Sequence, residues 1–202
     1  MARPKNTPEK IERMRNSMMD AVISLLDQVP PDKVSIRMIA EKVGVSHMVF
    51  YTYFKDRDEI MDVLVEREKN RINEHFAGKL RETQTVPTKK VMEELILEYT
   101  QTAREHPKIF RLFWLDPVEG ATTHSEKFSQ LDDSLTSLGK ILKAGMDKGE
   151  FKKKDERLAA STVMAIINGP IIMEQCKKMP QDIKCEELLE QITRAIFAYL
   201  ET

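Results

Sequence analysis

The chain has 202 residues, 41% of them apolar, enough to bury one compact core or two small ones. Its formal net charge is −1, so charge taken whole argues nothing for nucleic acid. There is no run of about 18 apolar residues to span a membrane, and the opening MARPKNTPEK lacks the apolar stretch of a secretory leader, so a cytoplasmic address is expected.

The charge is unevenly placed. Residues 1–57 hold ten Lys or Arg against seven Asp or Glu, and the remainder holds 22 against 26. A mildly basic N-terminal module on an acidic body suits phosphate binding at one end. With seven Gly and nine Pro between long apolar-periodic segments, the pattern predicts an all-α fold of about nine helices. Cys176 and Cys185 are the only cysteines, and reduced thiols without a metal or disulfide role are expected.

Thr7-Pro8-Glu9 predicts a helix start: a cap, Pro at the first helical position and an acid in the first turn. Ile11, Met14, Met18, Val22, Leu25, Leu26 and Val29 recur at helical spacing and stop before Pro30-Pro31. Two short helices joined by a tight turn follow in SIRMIAEKVGVSHMVFYTYF, residues 35–54. The first is predicted from about Ile36 to Val43, ended by Gly44 in a left-handed conformation. The second opens at Ser46, a good cap. Ile36, Ile39, Ala40, Val45, Phe50 and Phe54 form the inward face, leaving His47, Met48, Val49, Tyr51 and Tyr53 on or near the surface. An outward aromatic and apolar run on a short helix suits the major groove of DNA better than solvent.

Asp56, with Glu59 three residues on, predicts the cap of a long helix carrying Ile60, Leu64, Ile72, Phe76 and Leu80. That helix joins the N-terminal module, residues 1–56, to a body of residues 57–202 without a flexible linker. After a break at Thr83 to Pro87, a fifth helix carries Val91, Leu95, Ile96, Tyr99 and Ala103. His106-Pro107 leads into an apolar piece with Phe110, Phe113 and Trp114, and then a loop from Asp116 to Ser125. A seventh helix carries Phe128, Leu131, Leu135, Leu138, Leu142 and Met146, and DKGEFKKKD reads as a polar hinge. The last two helices are expected from about Asp155 to Lys177, interrupted at Gly169-Pro170, and from about Asp182 to Leu200.

Over about residues 10–65 the chain resembles TetR-family transcriptional regulators. Ala40, Gly44, Val45, Ser46, Phe50, Tyr51, Tyr53, Phe54 and Lys55 match that family's A-x-x-x-G-V-S and L-Y-x-H/Y-F-K pattern. GEFKKKDERLAASTVMAIINGPI resembles the entry to the family's penultimate helix, and HPKIFRLFW a His-Pro-aromatic segment of some members. The resemblance implies a homodimer with a three-helix helix-turn-helix head on each subunit, a ligand pocket in the body, and an interface built from the last two helices. It also implies a repressor released from a palindromic operator by a small apolar or amphipathic effector.

On that reading His47, Met48 and Val49 meet base edges: His47 donates to a guanine or a phosphate, and the other two touch thymine methyls. The family more often has Lys-Gly or a polar pair at positions 47 and 48, so an A·T-leaning contact is expected; Met48 packed on the first helix is the alternative. Arg37 matches a family contact position or is a solvated charge. Ser35, Ser46, Tyr51, Tyr53, Lys55 and Arg57 are the phosphate candidates. Arg3 and Lys5 form a minor-groove arm or a disordered tail. Met92, Tyr99, Phe110, Phe113, Trp114, Met164, Ile167, Asn168 and Met173 are candidates for the effector lining, each with ordinary core packing as the alternative. No P-loop, GxSxG, HExxH or CxxC is present and the four His are scattered, so no enzyme is expected. A DNA-binding chromosome-organising or adaptor protein of the same fold, without an effector, is the second reading.

Overall fold

The computed structural model describes residues 7–110 and 129–202. Helix α1 spans Pro8–Leu26, and the Thr7 side chain accepts from the Lys10 N–H at 3.4 Å. A 3-10 turn at Pro31–Lys33 leads to α2, Ile36–Val43. The Ser35 hydroxyl caps α2 by accepting from the Met38 N–H at 3.2 Å. Gly44 ends it at φ +78°, with the Val45 N–H returning to the Ala40 carbonyl at 2.9 Å. A side chain is rarely tolerated at such a φ, so glycine is what lets the chain reverse there.

Helix α3 is a single turn, His47–Phe50, and Ser46 makes no side-chain cap bond. The predicted second helix is therefore shorter than its sequence pattern and continues as turns through Tyr53. Helix α4 spans Arg57–Glu82, and Asp56 accepts from the Glu59 N–H at 2.9 Å while Glu59 accepts from the Lys55 N–H. This reciprocal cap fixes the corner between α3 and α4.

Two apolar cores result. Met18, Val22, Leu26, Ile39, Phe50 and Phe54 form the head core together with Ile60 and Leu64 of α4. The first two turns of α4 thus pack with the head, beyond the expected division at residue 56. Helices α5 (Thr88–Glu105), α6 (Pro107–Phe110), α7 (Ser129–Asp147), α8 (Glu156–Gln175) and α9 (Cys185–Glu201) build the body. Its core joins Val91, Met92, Phe110, Leu142, Val163, Ile167, Ile196 and Leu200. Helix α7 lies against both α4 and α8, and α8 lies against α9.

Two expectations about the body are corrected. The DKGEFKKKD segment is no loose hinge. Phe151 is buried, and its ring sits so close to Gly145 of α7 that a Cβ there would come within 2.4 Å. Glu150 accepts from the Thr88 hydroxyl at 3.2 Å and the Lys89 N–H at 3.1 Å, and the Lys152 N–H donates to the Leu200 carbonyl at 2.8 Å. Nor does Gly169-Pro170 interrupt α8, which runs through Pro170. The proline ring is buried in the body core, and the packing offsets the one intrahelical bond that proline cannot make.

The head meets the body at the end of α1. Asp27 Oδ2 lies 3.1 Å from His106 Nδ1, and the Lys108 ammonium donates to the Gln28 carbonyl at 2.8 Å. Farther along, Arg67 of α4 pairs with Asp20 of α1 at 2.8 Å. Cys176 is exposed and Cys185 buried, and both are free thiols. Among the described residues no helix is long and apolar enough to cross a membrane.

Candidate nucleic-acid interface

The surface of the head is built around α3. Phe50 and Phe54 point inward, completely or almost completely buried, with ring centroids 5.7 Å apart. That anchoring turns the other side of the same helical turn outward. Met48 is 73% exposed and Tyr51 46%. His47 is also exposed, with its ring 5.2 Å from that of Tyr51 in an edge-on contact. Met48 therefore does not pack on α1. Val49 and Tyr53 are half-buried at the margin of this surface.

Around that tip stand Ser35, Arg37, Ser46 and Lys55, all exposed. Ser35 is committed to the α2 cap, while the Ser46 hydroxyl makes no cap bond. Lys55 lies 3.7 Å from Asp56, a loose surface pair of little energetic weight. Arg57 differs from the others. Its Nε donates to the Val34 carbonyl at 2.8 Å, and a terminal nitrogen donates to the Pro31 carbonyl. The guanidinium thus ties the start of α4 to the loop before α2. Arg3 and Lys5 lie outside the described residues.

Arg15 is a residue the sequence reading missed. It sits on α1, and its guanidinium donates to the Tyr53 carbonyl while lying 4.1 Å from the centre of the Phe54 ring. Nothing local in the sequence announces this, because the partners are 38 residues apart.

In the body, Tyr99 of α5 donates its hydroxyl to Asn168 Oδ1 of α8 at 2.8 Å, and its ring meets Phe110 edge-on at 4.9 Å. Burial pushes the Tyr99 hydroxyl above its usual range, against the opposing pull of the Asn168 hydrogen bond, so it stays a neutral donor. Met92, Phe110 and Ile167 are buried in the same apolar cluster and Met164 packs on it. Met173 is exposed, and Phe113 and Trp114 lie outside the described residues. Among the described residues no group of His, Cys, Asp or Glu is arranged to hold a metal.

A head of one long and two short helices, with a polar-aromatic tip presented over a phenylalanine core, fits the class of helix-turn-helix DNA-binding proteins. Residues 19–64 match the family described as "Bacterial regulatory proteins, tetR family". Over that stretch, which covers most of the head, the chain is similar to this family. Among its relatives, the HTH-type transcriptional regulator BetI of Cronobacter sakazakii is 23% identical over 156 residues, covering 77% of this chain and 76% of its own. The nucleoid occlusion factor SlmA of a Marinomonas species is 22% identical over 179 residues, covering 86% and 90%. Among solved structures, the transcriptional regulator FadR from Bacillus subtilis, in complex with stearoyl-CoA, shares the fold. Its TM-score is 0.71 at 18% identity, with 91% of this chain and 98% of that one covered.

Proposed function

We propose that the chain is a ligand-responsive transcriptional regulator, acting as a repressor, that binds a palindromic operator as a homodimer. The observation that carries this is the outward tip of α3, where His47, Met48 and Tyr51 stand exposed over buried Phe50 and Phe54. An apolar side chain as exposed as Met48 gains nothing in water, but it suits thymine methyls in a major groove. His47, Met48 and Val49 read bases, with Arg37 at their flank. Ser35, Ser46, Tyr51, Tyr53 and Lys55 hold the phosphates. Arg57 braces the head instead, because two of its nitrogens donate to backbone carbonyls and the third to the Asp58 carboxylate. The cytoplasmic address follows from this role, since the operator lies there.

The homodimer forms through the last two helices. Leu158 of α8 is 65% exposed, and Ile172 and Met173 are exposed farther along the same helix. The effector is a small apolar or amphipathic molecule. It sits among Met92, Phe110, Met164 and Ile167, with the Tyr99–Asn168 pair orienting its polar end. The stearoyl-CoA held by FadR from Bacillus subtilis is amphipathic in this sense. Ligand release works by differential affinity for two head separations.

The name of SlmA favours a second reading, a chromosome-organising protein without an effector. One experiment separates the two. Genomic fragments captured by the purified full chain are sequenced. Recovery of one two-fold symmetric site supports the regulator, and recovery of many scattered sites supports the organiser.

A further inference from the structure

We propose that Arg15 is a positioning residue for DNA recognition: it clamps the C-terminal end of α3, and so holds the Tyr51–Lys55 turn at the angle that meets the phosphates. The inference rests on the reading of the head as a duplex-binding surface.

The need for a clamp follows from the length of α3. One helical turn does not hold itself together in water, because nucleation fixes several dihedrals for a single hydrogen bond. Its N-terminal side has no side-chain cap. At the other end the Thr52, Tyr53 and Phe54 N–H groups bond back to Val49 and Phe50 carbonyls at 2.9 to 3.1 Å. The carbonyls that follow are the orphan acceptors of a helix end.

Arg15 meets that end in three ways. Its guanidinium donates to the Tyr53 carbonyl. Its central carbon lies 4.1 Å from the centre of the Phe54 ring. Nη2 is 4.0 Å from Glu59 Oε1, while the other oxygen of that carboxylate accepts the Lys55 N–H. Consecutive residues 53, 54 and 55 are thereby tied to α1 and to the first turn of α4. A cation at a helix C-terminus also faces the negative end of the backbone dipoles. The Arg15 side chain is only 25% exposed and its donors are engaged inward, so it acts through Tyr53 and Lys55 rather than on DNA. Lysine lacks the flat fork that serves a carbonyl, a ring and a carboxylate together.

The test uses Arg15→Met, which keeps the stem over Phe54 and removes the donors, and Arg15→Lys, which keeps the charge. Amide exchange of the free full-length chain is measured first. The expected result is exchange at Tyr53 and Phe54 at least about tenfold faster in Arg15→Met, with α7 and α8 unchanged. Unchanged exchange at those two amides overturns the clamp. Binding to the duplex selected by the wild-type chain is then titrated against salt. The expected result is about a tenfold loss of affinity in both variants with the wild-type log–log salt slope. A slope shallower by about 0.9 would make Arg15 a direct phosphate ligand and overturn the proposal. So would full affinity in either variant. If Arg15→Met melts below the assay temperature, Arg15→Gln, which also removes the charge, gives both readouts. A wild-type chain that binds no duplex removes the reading of the interface, while the exchange result still decides whether the clamp exists.

Discussion

At the scale of single residues, the head divides into side chains that face out and side chains that hold them there. His47 and Lys55 are both exposed, but their predicted failures differ. His47→Ala is expected to relax sequence preference by about 1–3 kcal/mol if its base contact is bidentate. A competition assay between the selected site and its single-base variants reads this, and unchanged discrimination contradicts the assignment. Lys55→Ala is expected to weaken all duplexes alike and to make the log–log salt slope shallower by about 0.9. Arg57 looks like the same kind of residue in the sequence, yet its guanidinium is engaged by the Val34 and Pro31 carbonyls and by the Asp58 carboxylate. Residue type and spacing reveal which cations are available near the helix-turn-helix. Which of them are already engaged depends on loops packed from elsewhere, and local sequence does not carry that.

At the scale of elements, caps and periodicity made most of the helices legible. Thr7, Gly44 and Asp56 do what their residue types suggest, whereas Ser46, read as a cap, makes no side-chain cap bond. The misreadings lie where tertiary packing overrides local signals. Gly169-Pro170 reads as a break, but the core accepts the proline ring and α8 continues. DKGEFKKKD reads as polar, yet its one aromatic, Phe151, closes onto Gly145. Gly145→Ala is accordingly expected to destabilise the protein by about 1–3 kcal/mol, since the methyl would displace the Phe151 ring from the core. Urea denaturation followed in the body helices measures it, and an unchanged midpoint contradicts the packing described. Glu150, in the same segment, carries a pH prediction. Burial raises its pKa, but hydrogen bonds from Thr88 and Lys89 outweigh this and hold it below its ordinary value of 4.5. A depressed folded-state pKa means that the stabilisation is complete above the unfolded value and disappears as pH falls through the folded one. Stability should therefore decline below about pH 4.5, and Glu150→Gln should show a shallower decline over that window. An identical acid profile in the variant contradicts the role given to Glu150.

At the scale of the whole molecule, α4 makes head and body one mechanical unit. Ile60 and Leu64 lie in the head core, and the later turns pack against α7. The Asp27–His106 and Gln28–Lys108 contacts add a second connection between α1 and the start of α6. Phe110, one turn on, rests against Tyr99, so the proposed effector region and the head share one short helix. The sequence pointed to the DNA-facing tip more sharply than to the effector region. A recognition turn needs particular residue types at fixed spacing, whereas a lining of Met, Phe and Ile cannot be told from core by pattern alone. The direct measurement is titration of the purified, effector-free protein with its selected duplex and a scrambled duplex at low ionic strength. The account predicts tighter binding to the selected, two-fold symmetric duplex, with affinity for both falling as salt rises. Binding to neither duplex would contradict it.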